Sequence, residues 1–216
     1  MIFVLKQEDP DWFRAWKEGA SPDWKPTYSA LDTSTKTKLK TALIKEQGHV
    51  CCYCGGKITS EDSHIEHFRP QSNPEYQYLS VEYKNLFASC IKEAVKGGQL
   101  HCGHAKGDSF EEELCISPID PGCEDHFKYS YHGDISPNSK ENSKATHMIE
   151  LLKLNCASLQ SRRRAVLQKV FSVAFIDSAT EEELRALRDS YTKQSEGGVR
   201  DEFGQVITRF IDQQLL

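Results

Sequence analysis

Cys51 and Cys54 are separated by two residues, and Gly55-Gly56 follow at once. Two thiols at that spacing can turn onto one metal ion, and the glycines permit the tight backbone turn of a zinc knuckle. One knuckle supplies two ligands, and a tetrahedral structural zinc needs two more. Cys90 and Cys102 are the nearest remaining cysteines. The expected zinc set is therefore Cys51, Cys54, Cys90 and Cys102, with His101 able to replace one of them. A buried thiol pair or a redox pair is the alternative. A redox pair of this spacing usually opens a helix, which Gly55-Gly56 oppose. Cys52 is expected to point away from the metal into the core.

His64-Ile65-Glu66-His67-Phe68-Arg69-Pro70 sets a carboxylate beside an imidazole. Neighbours on a strand point to opposite faces, so Glu66 and His67 cannot face one metal as a pair. A strand ending there allows a division of labour. Glu66 would bind a hard divalent cation through oxygen, and His67, neutral near pH 7, would deprotonate a water. Taken alone, such a pair is also what an ordinary surface strand carries. Likewise Asn85, in Tyr83 to Cys90, reads alone as a turn residue, and His104, in Cys102 to Asp108, as a spare imidazole.

In order, these motifs resemble the HNH endonucleases, the zinc-knuckle branch of the ββα-metal fold. The resemblance runs over about residues 48–110: C-x2-C, acid-His-x-x-Pro, Asn-Leu-x-x-x-Cys, Cys-x-x-x-Lys-Gly. It implies Glu66 as acidic metal ligand, His67 as general base and Asn85 as the polar residue holding the base-bearing loop. It implies His104 as the last ligand of a catalytic Mg²⁺ or Mn²⁺, with His101 as rival, and Cys51, Cys54, Cys90 and Cys102 as the structural Zn²⁺ set. Two departures stand out: Ile91 to His101 separate the second cysteine pair, and Gly103 stands between Cys102 and His104. Cys-x-Tyr-Cys, Glu-His-Phe-x-Pro-x-Ser, Asn-Leu-Phe-x-Ser-Cys and Cys-Gly-His-x-Lys-Gly-Asp, with Gly133-Asp134-Ile135 and Leu154-Asn155 beyond, resemble more closely the HNH proteins of retron and Septu-type bacterial defence systems, a group that includes PtuB. That resemblance spans nearly the whole chain. It implies nucleic acid, most naturally DNA, as substrate, a partner ATPase of the PtuA type and a role against phage. The rival from another class is a non-catalytic zinc-binding adaptor, against which the intact Glu66, His67, Asn85 and His104 argue.

The elements that must position these residues form an α+β fold: a small ββα-metal core with structural zinc inside a mainly helical surround. The expected division is 1–47 helical, 48–110 the nuclease core and 111–216 mainly helical. Met1–Leu5 reads as a strand. Asp9-Pro10-Asp11 opens a helix carrying Trp12, Phe13 and Trp16 as a core-packed stripe. Thr35 to Gln47 is a second helix with Leu39, Leu43 and Ile44 inward and Lys36, Lys38, Lys40 and Lys45 on the other face, stopped by Gly48. Phe127 to Ile135 reads as a hairpin. One amphipathic stretch runs from Ser143 through Phe171, a capping signal stands at Ser178 to Glu183, and Val199 to Leu216 forms a last helix. Arg69 and Lys106 are candidates for neutralising phosphate, and Arg162-Arg163-Arg164 reads as a solvated turn.

The 216 residues carry 27 Lys+Arg against 32 Asp+Glu, a net charge of -5. Residues 1–50 hold 8 basic and 7 acidic, 51–108 hold 6 and 7, and 109–216 hold 13 and 18. The acidity lies in the C-terminal half, which suits a docking surface better than a DNA-binding face. The composition excludes collagen-like, low-complexity and membrane-spanning chains. Met1–Leu5 is too short for a secretory segment, so the expectation is a soluble cytoplasmic protein whose eight cysteines serve metal or chemistry rather than a disulfide frame.

Overall fold

The computed structural model describes all residues except 92, 94–97, 173, 174, 176, 177, 193–196 and 216. The expected helix end at 216 and part of the interval between Cys90 and Cys102 lie outside the described residues. The elements, in order, are α1 (Asp11–Glu18), α2 (Thr33–Glu46), β1 (Ser63–His67), β2 (Leu86–Cys90), α3 (Gly103–Lys106), β3 (Phe127–Tyr129), β4 (Ile135–Pro137), α4 (Ser143–Leu151), α5 (Ala157–Val170), α6 (Glu181–Thr192) and α7 (Gly204–Asp212). This is an α+β fold, with two small antiparallel sheets among helices. One apolar cluster runs from Met1 and Phe13 through the knuckle to Phe210 and Ile211.

β1 and β2 pair antiparallel, with Ile65 opposite Ala88 and Glu66 opposite Phe87. All five β2 residues are buried, because α2 lays Leu39, Leu43 and Ile44 toward the same core. The outer edge of β2 still needs hydrogen bonds. Gln47, fully buried, supplies them: its amide accepts from the Ala88 N–H at 2.7 Å and donates to the carbonyls of Ala88 and Val50, both at 2.9 Å. The hairpin solves the same problem twice. Gln213 pairs with both backbone groups of Tyr129, and Asn155 with both of Ile135.

Several elements depart from the sequence expectation. Met1–Leu5 is not a strand: the Ile2 N–H bonds the Cys52 carbonyl and the Val4 N–H that of Pro118, so two different segments hold it and no ladder forms. α2 starts at Thr33 because Asp32 caps it, accepting from the Thr35 N–H at 2.9 Å. Its lysines are not simply solvated: Lys40 donates to the Ser60 and Ser63 carbonyls, and Lys36 and Lys38 lie over the rings of Tyr28 and Trp12. The stretch from Ser143 breaks into α4 and α5, where Lys153 turns left-handed (φ 49°) and Asn155 is drawn to β4. α7 starts only at Gly204, because Phe203 is also left-handed (φ 55°) and donates its N–H to the Gly55 carbonyl. The capping signal forms as expected, with Thr180 and Glu183 bonding each other's backbone N–H.

Arg163 is the largest fully buried side chain, not part of a solvated turn. Its guanidinium donates to the carbonyls of Gly133 (2.7 Å) and Leu154 (2.8 Å), stapling the hairpin turn to the α4–α5 junction. Among the described residues no helix is long and apolar enough to cross a membrane.

Replacing Gln47 by Leu strands the Ala88 N–H without a partner inside the core. The expected cost is about 2–4 kcal/mol, read as a lower denaturant midpoint at unchanged slope.

Candidate functional site

The knuckle is built by two short turns. The Cys51 N–H bonds the Gly56 carbonyl and the Gly55 N–H bonds the Cys51 carbonyl, each at 2.9 Å, with Val50 and Lys57 bridged at the base. Gly55 is left-handed (φ 77°), and a Cβ there would fall 2.3 Å from the Gln205 side chain. Cys90 enters from the end of β2 and Cys102 from the residue before α3. The four thiols Cys51, Cys54, Cys90 and Cys102 are buried, and their sulfurs all lie within 4.8 Å of one another. A tetrahedral zinc with ~2.3 Å bonds sets its sulfurs about 3.8 Å apart, and Cys54 and Cys90 are 3.8 Å apart. The Cys90 N–H points at the Cys51 sulfur and the Gly56 N–H at the Cys54 sulfur, both at 3.4 Å, as thiolate partners do. The group could hold a structural zinc. His101 Nδ1 lies 3.1 Å from the Cys102 sulfur and 3.6 Å from that of Cys90, beside a complete thiol set. Cys52 is buried and not in the group.

β1 separates its side chains as strand geometry requires. Glu66 and His64, two residues apart, share a face. Glu66 is buried, and its two oxygens have different surroundings. Oε1 accepts from Tyr53 Oη at 3.0 Å and from Lys106 Nζ at 2.8 Å, whereas Oε2 faces His64 Nε2 at 3.5 Å. Burial alone would raise the Glu66 carboxyl, but His64 and Lys106 hold it below the ordinary range, so it stays ionised. His104 packs its ring on that of His64, with centroids 4.6 Å apart. Thus His104 joins the Glu66 side and His101 the thiols. Among the described residues the four cysteines are the only group of three or more ligating side chains close enough to share one metal ion; on the Glu66 side, the buried carboxylate faces His64, against which His104 packs. Gly103 keeps the space open, since a Cβ there would lie 2.5 Å from both Glu66 Oε2 and His64 Nε2.

His67 ends β1. Its Nε2 lies 3.0 Å from the Ser80 carbonyl, which can only accept, so Nε2 carries the proton and Nδ1 keeps its lone pair. Tyr28, from the segment before α2, meets its ring edge-on at 4.6 Å between centroids. Burial pushes the imidazole below its ordinary range, so it is neutral near pH 7. Asn85 is buried and ties the loop after His67: it accepts from the Arg69 N–H at 2.8 Å and donates to the carbonyls of Arg69 and Leu79, the latter next to Ser80. One side chain therefore connects the backbone after the imidazole to the backbone carrying its carbonyl partner.

Two basic residues differ from expectation. Lys106 is buried, holding Glu66 and the His67 carbonyl (2.9 Å), and is not available to a phosphate. Arg69 pairs with Glu112 among the rings of Phe68, Tyr76 and Phe110. Sequence reasoning gave no role to His64, Tyr53 or Tyr28. The strand period was a usable signal for His64, because i and i+2 share a face; no local signal connects Tyr28 to His67.

No protein-family model matches the chain. It is 32% identical over 172 residues to a protein of Vibrio cholerae serotype O1 biovar El Tor, covering 77% of this chain and 80% of the other. It is 26% identical, over 197 aligned residues covering 74% of each, to a protein of Escherichia coli. Their names assign them to the HNH endonucleases of retrons Vc95 and Ec83 respectively.

The protein is expected to carry one zinc per chain, released on titration of its thiols with a mercurial. Cys102→Ser should abolish the zinc content measured by mass spectrometry, and Cys156→Ser should preserve it.

Proposed function

The chain belongs to the HNH endonuclease family, and from that premise we propose that it hydrolyses DNA phosphodiester bonds with a divalent cation held by Glu66 and His104. The observation that carries this reading is the division at the end of β1: Glu66 turned to His64 and His104, and His67 turned away with its tautomer fixed by the Ser80 carbonyl. Mg²⁺ or Mn²⁺ bound at Glu66 and His104 supplies positive charge to the scissile phosphate and the 3′-oxygen leaving group. His67 Nδ1 takes the proton from the attacking water. As the ring becomes cationic, the Ser80 carbonyl keeps its Nε2–H bonded. Asn85 holds the loop and the carbonyl in register, so the ring presents Nδ1 in one orientation. Lys106 and Tyr53 fix Oε1 of Glu66 and leave Oε2 for the cation. Cys51, Cys54, Cys90 and Cys102 bind zinc and hold the β2 end and α3 together.

The chain acts in the cytoplasm as the effector nuclease of an anti-phage system with a partner ATPase of the PtuA type. The retron names of its two relatives support the defence role. The charge distribution supports dependence on a partner. Lys6 pairs with Glu46, Lys17 with Asp9, Lys106 with Glu66, Arg69 with Glu112, Arg162 with Glu202, Arg188 with Asp212 and Arg209 with Asp125. These pairs engage seven of the 27 Lys and Arg residues, and with 32 Asp and Glu the chain has no net basic excess to replace counterions along a duplex.

Plasmid nicking in Mg²⁺ or Mn²⁺, with and without the co-encoded partner, tests the assignment. His67→Ala is expected to slow cleavage by roughly 10²–10⁴-fold; cleavage at the wild-type rate would sink the mechanism. The isolated protein is expected to bind duplex DNA no tighter than about 1 µM at physiological salt, measured by fluorescence anisotropy.

A further inference from the structure

The four thiols are not equally served with hydrogen bonds. Thiolates gathered on one zinc carry net negative charge into the core, and buried metal ligands of this kind are steadied by donors around them. Cys51 and Cys54 draw theirs from the knuckle and from β2. The Cys90 N–H lies 3.4 Å from the Cys51 sulfur and the Gly56 N–H 3.4 Å from that of Cys54. Ser89 Oγ accepts from the Gly103 N–H at 3.1 Å, so its own hydrogen can turn to the Cys51 sulfur, 3.7 Å away. Cys102 is placed differently. It is fully buried, left-handed (φ 57°) and stands at the start of α3. The N–H groups around it are taken: its own by the Leu152 carbonyl, that of Gly103 by Ser89, and those of Ala105 and Lys106 by the Cys102 carbonyl. The group that reaches its sulfur is a side chain. His101 Nδ1 lies 3.1 Å from the Cys102 sulfur and 3.6 Å from that of Cys90. A thiolate carries no hydrogen and only accepts, so Nδ1 is the donor.

We infer that His101 is the hydrogen-bond donor of the Cys102 and Cys90 thiolates, an anchor of the zinc group that is not itself a ligand. The mutually close ligand set ends at the four sulfurs and leaves His101 outside it. A fifth donor would also exceed the four positions of a structural zinc. The ring supplies charge stabilisation where the backbone cannot. An N–H bonded to a thiolate is charge-assisted and stronger than a neutral pair. It draws electron density from the sulfur, which weakens the thiolate toward any proton competing with zinc. Its position adds to this effect. A cavity of about 340 Å³ has both Cys90 and His101 in its lining, and Cys90, at 7 % exposure, is the most open of the four thiols. His101 therefore stands on the side from which a competing chelator would arrive. The inference rests on zinc at the four thiols and not on the choice of substrate or catalytic cation.

The test is Co²⁺ in place of zinc in the full-length protein, read by absorption, with zinc release to a chromogenic chelator measured in parallel. Wild type should show the charge-transfer intensity of four thiolates. In His101→Ala the lost N–H raises the sulfur lone pairs in energy. The band should move to longer wavelength at unchanged intensity, and zinc should leave ~10-fold faster or more. His101→Asn sets an amide N–H near the place of Nδ1 and should restore both readouts, which a ring that only fills space would not predict. If His101→Ala does not fold, wild-type protein loaded with a spin-active cadmium isotope carries the test. A scalar coupling from the metal through sulfur to the His101 Nδ1 hydrogen is expected, and its absence overturns the inference. A band and a release rate unchanged in His101→Ala overturn it as well. So does a wild-type spectrum with the intensity of three thiolates, which would make His101 a ligand. A wild type that takes up neither zinc nor Co²⁺ overturns the zinc reading itself, and that failure is seen before any variant is made.

Discussion

Four buried sulfurs within 4.8 Å of one another form the constraint on which the rest of this molecule depends. As thiolates they repel, and in a core that screens poorly only a cation among them makes the arrangement favourable. The sulfurs come from the knuckle, the end of β2 and the start of α3, so one ion would align three segments. That alignment extends to the cluster of Glu66, His64 and His104. Gly103 and His104 follow Cys102 directly, and β1 lies against the strand that ends in Cys90. The four-thiol group and the Glu66 cluster are therefore positioned by the same strands and the same turn. The chain between Cys90 and Cys102 leaves through Ile91 and returns through Cys102, both non-glycine residues at positive φ. The backbone is bent at both ends of this interval rather than along β1 and β2, and one of the two bends delivers the carbonyl that meets His64 Nδ1.

A second rule is repeated through the fold. Two-stranded sheets have open edges on both sides, and this protein closes three edge positions with side-chain amides: Gln47 on Ala88, Gln213 on Tyr129, Asn155 on Ile135. A primary amide carries the same donor and acceptor pair as a peptide group, so each acts as one residue of a missing strand. Small sheets can then sit deep among helices without unsatisfied backbone and without exposed edges that would recruit another chain. Arg163 plays the matching part for carbonyls that no strand can reach.

How far the sequence could be read follows from this. The gathering of the four thiols and the capped start of α6 depend on local spacing and local hydrogen bonds, and these were legible; α1 instead starts behind Pro10 with no side-chain cap, and α2 begins at Thr33 rather than Thr35. The failures share a cause of another kind. Met1–Leu5 has strand composition, but its partners are single carbonyls on Cys52 and Pro118. The break between α4 and α5 lies inside an unbroken amphipathic pattern, because the demand for Asn155 comes from β4. Arg163 reads as surface until the carbonyls of Gly133 and Leu154 converge on it. Lys106 reads as a phosphate contact until Glu66 arrives beside it. In each case the deciding partner is distant in sequence, and composition carries no trace of it.

The clasp of α7 on the knuckle adds a consequence in time. Gln205 donates to the Cys54 carbonyl across 151 residues, and Phe203 bonds Gly55 beside it. On a ribosome adding about 5–20 residues per second, the knuckle waits roughly 8–30 s for that seal. During the wait its thiols are open to metal from solution. A zinc ion held by the four thiols would be enclosed once Gln205 closes over Gly55, so the segment that seals the knuckle is among the last to be made.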